Sequence, residues 1–143
     1  MPLSFSGRGL QAYRQTEAQA SSPLELVVML YDGALRFTAE ARQAIERGDL
    51  SARRTAIDRA LAIIIHLQST LDLEQGGAIA ADLHRLYDYV SRRLLDASMQ
   101  NSVTPIDEAR KVLQSLREGW QGAARASKAS PGAMPGAAGS GAA

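Results

Sequence analysis

The sequence predicts an all-α chain folded as an antiparallel four-helix bundle, with a flexible N-terminal segment and a disordered C-terminal tail. Three observations carry this. Apolar residues recur at helical spacing over four long stretches, and β-branched alternation at period two is absent. Ala and Leu are abundant while aromatics make up only 5%, so helix formers dominate. The stretches are also matched, at about 21 to 25 residues or roughly 32 to 37 Å each. Rods of equal length joined by short links bury their apolar stripes best side by side in alternating directions.

Residues 1–21 are mostly polar but carry Phe5, Leu10 and Tyr13. Two readings stay open for them: a short segment docked by a few apolar anchors, or a frayed terminus. The bundle is expected over 22–126, with helices near 23–47, 50–73, 78–98 and 105–126. Ser22 can cap the first helix, Pro23 sits where no N–H is needed, and Glu25 can reach back to the cap. Gly48 stops that helix. The second follows Asp49, with the stripe Ile57, Ala60, Leu61, Ile64, Leu67, Leu71, and is expected to break at Gly76-Gly77. The third has Ile79, Leu83, Leu86, Val90 and Leu94 inward. The fourth opens at Thr104-Pro105 and carries Ile106, Val112, Leu113, Leu116 and Trp120. The expected core includes Leu24, Val27, Tyr31, Leu35, Leu113, Leu116 and Trp120. Residues 127–143, SKASPGAMPGAAGSGAA, hold one Met and no other large apolar residue, too little to offset their ordering entropy.

Several functions are excluded by composition. The 143 residues carry 16 Lys and Arg against 15 Asp and Glu, a net charge of +1. A nucleic-acid binder needs a concentrated basic excess, and the doublets Arg53-Arg54 and Arg92-Arg93 have acidic neighbours. The absence of Cys removes disulfides, thiolate zinc sites and thiol catalysis. Apolar runs such as Leu61–Ile65 fall far short of the roughly 20 residues of a spanning helix, so a soluble cytoplasmic chain without membrane insertion is expected. Di-iron bundles need Glu-x-x-His, but Ile63 precedes His66 by three and Ala81 precedes His84. His84 and Asp88 read as a surface pair, as do Arg42/Glu46, Arg54/Asp58, Asp88/Arg92 and Asp107/Lys111 on the outer faces. Asp72 and Glu74 read as loop solvation, and Gly76-Gly77 as a turn rather than a phosphate cradle. No catalytic residue, cofactor site or metal site emerges.

What remains is an interaction module. The first helix is apolar on more than one face, from Leu24 through Tyr31, which fits either an innermost rod or a partner surface. Ile63, Ile64 and Ile65 cannot all face one core, and Tyr87 and Tyr89 flank the third stripe. Ile63, Ile65, Tyr87 and Tyr89 are therefore read as binding surface. Gly33, in mid-helix, either permits a neighbouring helix to approach closely or is a tolerated defect costing about 1 kcal/mol.

Ser22-Pro23-Leu24-Glu25-Leu26 followed by Met29-Leu30-Tyr31-Asp32-Gly33-Ala34-Leu35-Arg36-Phe37 resembles the first helix of the flagellar export chaperones, the FliS family. Residues 69–94, STLDLEQGGAIAADLHRLYDYVSRRL, resemble that family's second signature. Leu116-Arg117-Glu118-Gly119-Trp120 is similar to the end of its fourth helix, and Ala12-Tyr13 to its N-terminal Ala-Tyr. The order and spacing hold from about Leu10 to Trp120, although Gly119 stands where Ala is usual. The resemblance implies an antiparallel four-helix bundle that binds the disordered C-terminal segment of flagellin in apolar grooves in the bacterial cytoplasm. It implies that premature polymerisation is blocked and that flagellin is handed to the flagellar type III export gate. It further implies that Leu10 and Tyr13 cap the groove until the client displaces them. The client-binding side chains expected on this reading are Ile57, Ile63, Ile64, Leu67 and Leu71 on the second helix, with Leu83, Leu86, Tyr87 and Val90 on the third. The alternative is a structural adaptor bundle that forms a homodimer through its exposed apolar strip and has no unfolded client. Self-association of the free chain stays open in either case.

Overall fold

The computed structural model describes residues 22–129. They form four helices: α1 (Pro23–Glu46), α2 (Leu50–Ser69), α3 (Leu73–Gln100) and α4 (Val103–Ala129). Ser22 Oγ accepts the Glu25 N–H at 3.1 Å, with Pro23 in the first turn of α1. Asp49 caps α2 through the Ala52 N–H at 3.0 Å. Asn101, in the left-handed conformation at φ 51°, closes α3. Pro105 lies in the first turn of α4, where its missing N–H costs no helical bond.

The boundary between the second and third helices differs from the sequence expectation. α2 ends at Ser69 rather than near 73, and α3 starts at Leu73 rather than 78. The cause is local. The hydroxyls of Ser69 and Thr70 donate back to the carbonyls of His66 and Leu67, both at 2.7 Å, and so satisfy the end of α2. Asp72 then accepts the Gln75 N–H at 2.9 Å and caps α3. The glycine pair that was expected to break the second helix instead interrupts the start of α3. Gly77 takes φ 54° and ψ −131°, open to glycine at little cost, and a Cβ on Gly76 would stand 2.6 Å from that of Ala80. α4 begins at Val103, two residues before the expected start, and continues to Ala129. Residues 127–129 are therefore helical rather than part of a disordered tail. The other tail residues and the segment 1–21, with Leu10 and Tyr13, lie outside the described residues.

Cross-helix bonds show the up-down-up-down order. Lys128, at the end of α4, pairs with Glu25 at the start of α1 at 2.8 Å, and Asp107 at the start of α4 pairs with Arg42 late in α1 at 2.8 Å. Arg53 early in α2 donates to Asn101 after α3 at 2.8 Å, while Gln68 late in α2 donates to Asp88 at 2.9 Å. α1 packs on α2 and α4, and α3 closes the ring against the same two helices. Among the expected outer-face pairs, Arg42–Glu46 is formed at 2.7 Å, but Asp107 turns to Arg42 on another helix rather than to Lys111. Arg93–Glu108 and Arg117–Asp32 add further links to α4. Such solvent-screened pairs contribute little stability and chiefly set register.

The core combines large residues with a run of alanines. Tyr31, Ile64, Tyr87, Val90, Leu94, Ile106 and Leu113 are fully buried or nearly so, interleaved with Ala34, Ala41, Ala60, Ala97 and Ala109. Of the expected core, Tyr31 and Leu113 lie at its centre. Val27, Leu35, Leu116 and Trp120 pack half-buried against it. Leu24 is half-buried in the first turn of α1 and stands apart from the core cluster. Among the described residues Thr38 is the buried polar one. It donates to the Leu35 carbonyl at 3.0 Å and accepts from Arg110 at 2.9 Å, so its hydroxyl is satisfied. Gly33 is buried at the α1–α2 contact, where a Cβ would lie 3.1 Å from Ile63 Cδ1, tighter than ordinary packing.

Candidate functional site

One end of the bundle is not filled by its own side chains. There the start of α1, the end of α2, the 70–72 turn, the start of α3 and the second half of α4 surround a cavity of about 740 Å³. Each element supplies part of the wall by its periodicity. Val27 comes from α1, Leu67 from α2 and Leu71 from the turn. Ile79, Leu83 and Tyr87 rise at four-residue intervals along α3, and Leu116 and Trp120 do the same on α4. Gly119 extends the α4 wall, and an added Cβ there would meet nothing within 4 Å. The polar lining is sparse: Thr70, Gln75 and Ser115 with one charged residue, the capping Asp72. An apolar wall with a few polar groups suits an apolar ligand with some hydrogen-bonding capacity.

Tyr87 lies in the floor and belongs to a buried hydroxyl pair beneath it. Tyr31 Oη and Tyr87 Oη lie 2.6 Å apart, with ring centroids 6.4 Å apart and planes at 47°. Burial raises the pKa of Tyr31 well beyond the ordinary tyrosine value; Tyr87 adds to the rise and Trp120 opposes it. Burial likewise raises that of Tyr87, against the bond from Tyr31. Both rings therefore stay neutral, and the floor carries no charge.

Leu67, Leu71, Leu83 and Tyr87 are the expected client-binding residues that meet in this cavity. Ile57, Ile64 and Val90 do not. They are buried at the bundle centre and do not border the cavity. Ile63 is half-buried against Gly33, and Leu86 is half-buried on α3 outside the cavity. Ile65 and Tyr89 are exposed on the outer surface, away from it. Val27, Leu116 and Trp120, expected in the core, serve both the core and the cavity wall. Ile79, expected inward, is 49% exposed at the cavity. Sequence reasoning missed Gly119 and Ser115. Their signal was the small-residue pattern of Gly119, Gly122 and Ala123 beside Trp120.

His84 and Asp88 sit 3.9 Å apart on the surface, with Asp88 also accepting from Gln68. Among the described residues no group of three His, Asp or Glu is placed to hold a metal ion. No described helix is long and apolar enough to cross a membrane.

Comparison with known proteins gives this geometry a family. Residues 6–127 match the family described as flagellar protein FliS, slightly beyond both ends of the span that carried the resemblance. The chain is 38% identical over 122 residues to the flagellar secretion chaperone FliS of Salmonella typhimurium, covering 82% of this chain and 90% of that relative. It is 40% identical over 110 residues to the flagellar secretion chaperone FliS of Campylobacter jejuni, covering 77% and 86%. Identity to the flagellar secretion chaperone FliSB of Pseudomonas aeruginosa is 35% over 122 residues, covering 82% and 97%. By this match and its four-helix bundle, the chain belongs to the FliS family of flagellar export chaperones, a family of chaperones rather than enzymes.

Proposed function

We propose that the cavity receives an apolar stretch of the disordered C-terminal segment of flagellin in the bacterial cytoplasm. Binding there keeps flagellin from polymerising early and presents it to the gate of the flagellar type III export apparatus. Leu10 and Tyr13 cover the apolar wall while the chaperone is empty and leave when the client arrives. The observation that carries this reading is the cavity itself, about 740 Å³ and walled by Leu71, Leu83 and Trp120, at one end of the bundle.

The energetics agree. A disordered client gives up roughly 2–5 kcal/mol or more in ordering. Each apolar side chain that it buries returns about 1.5–3 kcal/mol, so two or three anchors suffice. Calorimetric titration with a peptide copying the flagellin C-terminal segment tests the proposal. One-to-one binding with a large negative heat-capacity change and a gain in helical circular dichroism is expected. Absence of binding at high micromolar concentration rejects it.

A further inference from the structure

The tyrosine pair beneath the cavity has one proton too many. Two hydroxyls carry two O–H donors, and their mutual bond of 2.6 Å uses one. Tyr31 Oη also accepts a hydrogen bond from the Trp120 indole, which leaves Tyr31 its own proton to give to Tyr87. Trp120, adjacent to Tyr31, cannot take the second proton because an indole N–H only donates. A buried donor without an acceptor is costly and is seldom left so. Both rings are buried, at 0% and 1% exposed, but Tyr87 borders the cavity and Tyr31 does not. With Tyr31 donating to Tyr87, the remaining O–H belongs to Tyr87, the one of the two rings that borders the cavity.

We infer that Tyr87 donates its hydroxyl proton to an uncharged oxygen of the bound segment, a backbone carbonyl or an Asn, Gln, Ser or Thr side chain, and so sets the register in which the segment lies. The electrostatics of the lining exclude a carboxylate in that role. Among the described residues no Lys or Arg borders the cavity, and the one charged residue there is Asp72, which would repel an acidic group. The bound stretch is thus apolar, not acidic, and places a neutral acceptor among its anchors. Tyr87 acts here as a specificity-determining residue, and the assignment rests on the flagellin reading above.

The test uses the full chain and a synthetic peptide of the flagellin C-terminal segment. If the wild type does not bind, the flagellin reading falls and this assignment falls with it. If the wild type binds, Tyr87→Phe is expected to weaken affinity about two- to tenfold, the range of one neutral hydrogen bond. Ile106→Val, a core change remote from the cavity, serves as the control for lost stability and is expected to stay within twofold of wild type. Tyr87→Phe affinity within twofold of wild type, or an equal loss in Ile106→Val, overturns the assignment while leaving the flagellin reading intact. A second measurement needs no variant. In protein labelled at the tyrosine ζ-carbon, the Tyr87 resonance should move when peptide is added, as its O–H gains an acceptor. An unmoved Tyr87 resonance at saturation also overturns the assignment.

Discussion

Gly119→Leu separates the cavity from the fold more cleanly than any other substitution. Gly119 is exposed within α4, on the cavity wall, and an added Cβ there meets nothing within 4 Å. Replacing glycine inside a helix by a good helix former stabilises it by about 0.8–1 kcal/mol, and no neighbour has to move to make room. The same side chain projects into the space beside Leu116 and Trp120 that a bound anchor would use. Denying the client one buried anchor costs about 1.5–3 kcal/mol, or roughly ten- to a hundredfold in affinity. Urea unfolding should therefore show a higher midpoint for Gly119→Leu, while titration with the flagellin peptide shows much weaker binding. Gly119→Ala is the companion: similar stabilisation with affinity within a few-fold of wild type. A Gly119→Leu protein that is folded, more stable and binds as tightly as wild type refutes the placement of the client in this cavity.

Other expectations follow from the same geometry. Gly33→Leu should destabilise the bundle by about 1–3 kcal/mol through overpacking against Ile63, and Ile63→Ala in the same chain should recover part of that loss in urea unfolding. Full stability in Gly33→Leu would instead make the glycine a tolerated defect. Leu10→Ala with Tyr13→Ala should leave the helical signal intact while raising both probe-dye binding and the client on-rate; unchanged values for both would reject the cap. The pH dependence has a definite sign. Because burial raises the Tyr31 and Tyr87 pKa values above the unfolded value, only the unfolded chain loses these protons just above pH 10. Stability is then complete below roughly pH 10, the unfolded tyrosine pKa, and falls as the pH rises further. The fall should be shallower in Tyr31→Phe, as read from urea midpoints between neutral and alkaline pH.

The helices were legible because their signals are local. Ser22-Pro23 and Asp49 act within one turn, and the stripes through Tyr31, Ile64 and Leu113 need only the helical period. The end of α2 was misread because two local signals compete there. A glycine pair is a strong breaker, but Thr70 and Asp72 satisfy the backbone several residues earlier, and the glycines were then free to shape the interruption in α3. The candidate site was half legible for a different reason. Leu67 and Ile64 belong to one stripe, yet Ile64 is sealed while Leu67 borders the cavity. Periodicity specifies the face of a helix, whereas core and cavity here differ in height along the bundle. Height depends on where neighbouring helices end, and that is a tertiary property. The links from Arg117 to Asp32 and from Arg93 to Glu108 join different helices, so no i,i+4 rule could find them.

The salt bridge between Lys128 and Glu25 also has a practical consequence for anyone who handles this molecule. It brings the exit of the last helix beside the entry of the first, at the pole where the hollow opens. A fluorophore or cross-linker attached at Glu25 or Lys128 would stand at the doorway and compete with whatever enters. The loops at Gly48 and Asn101, at the far pole, are the safer anchorage for a label or a surface tether.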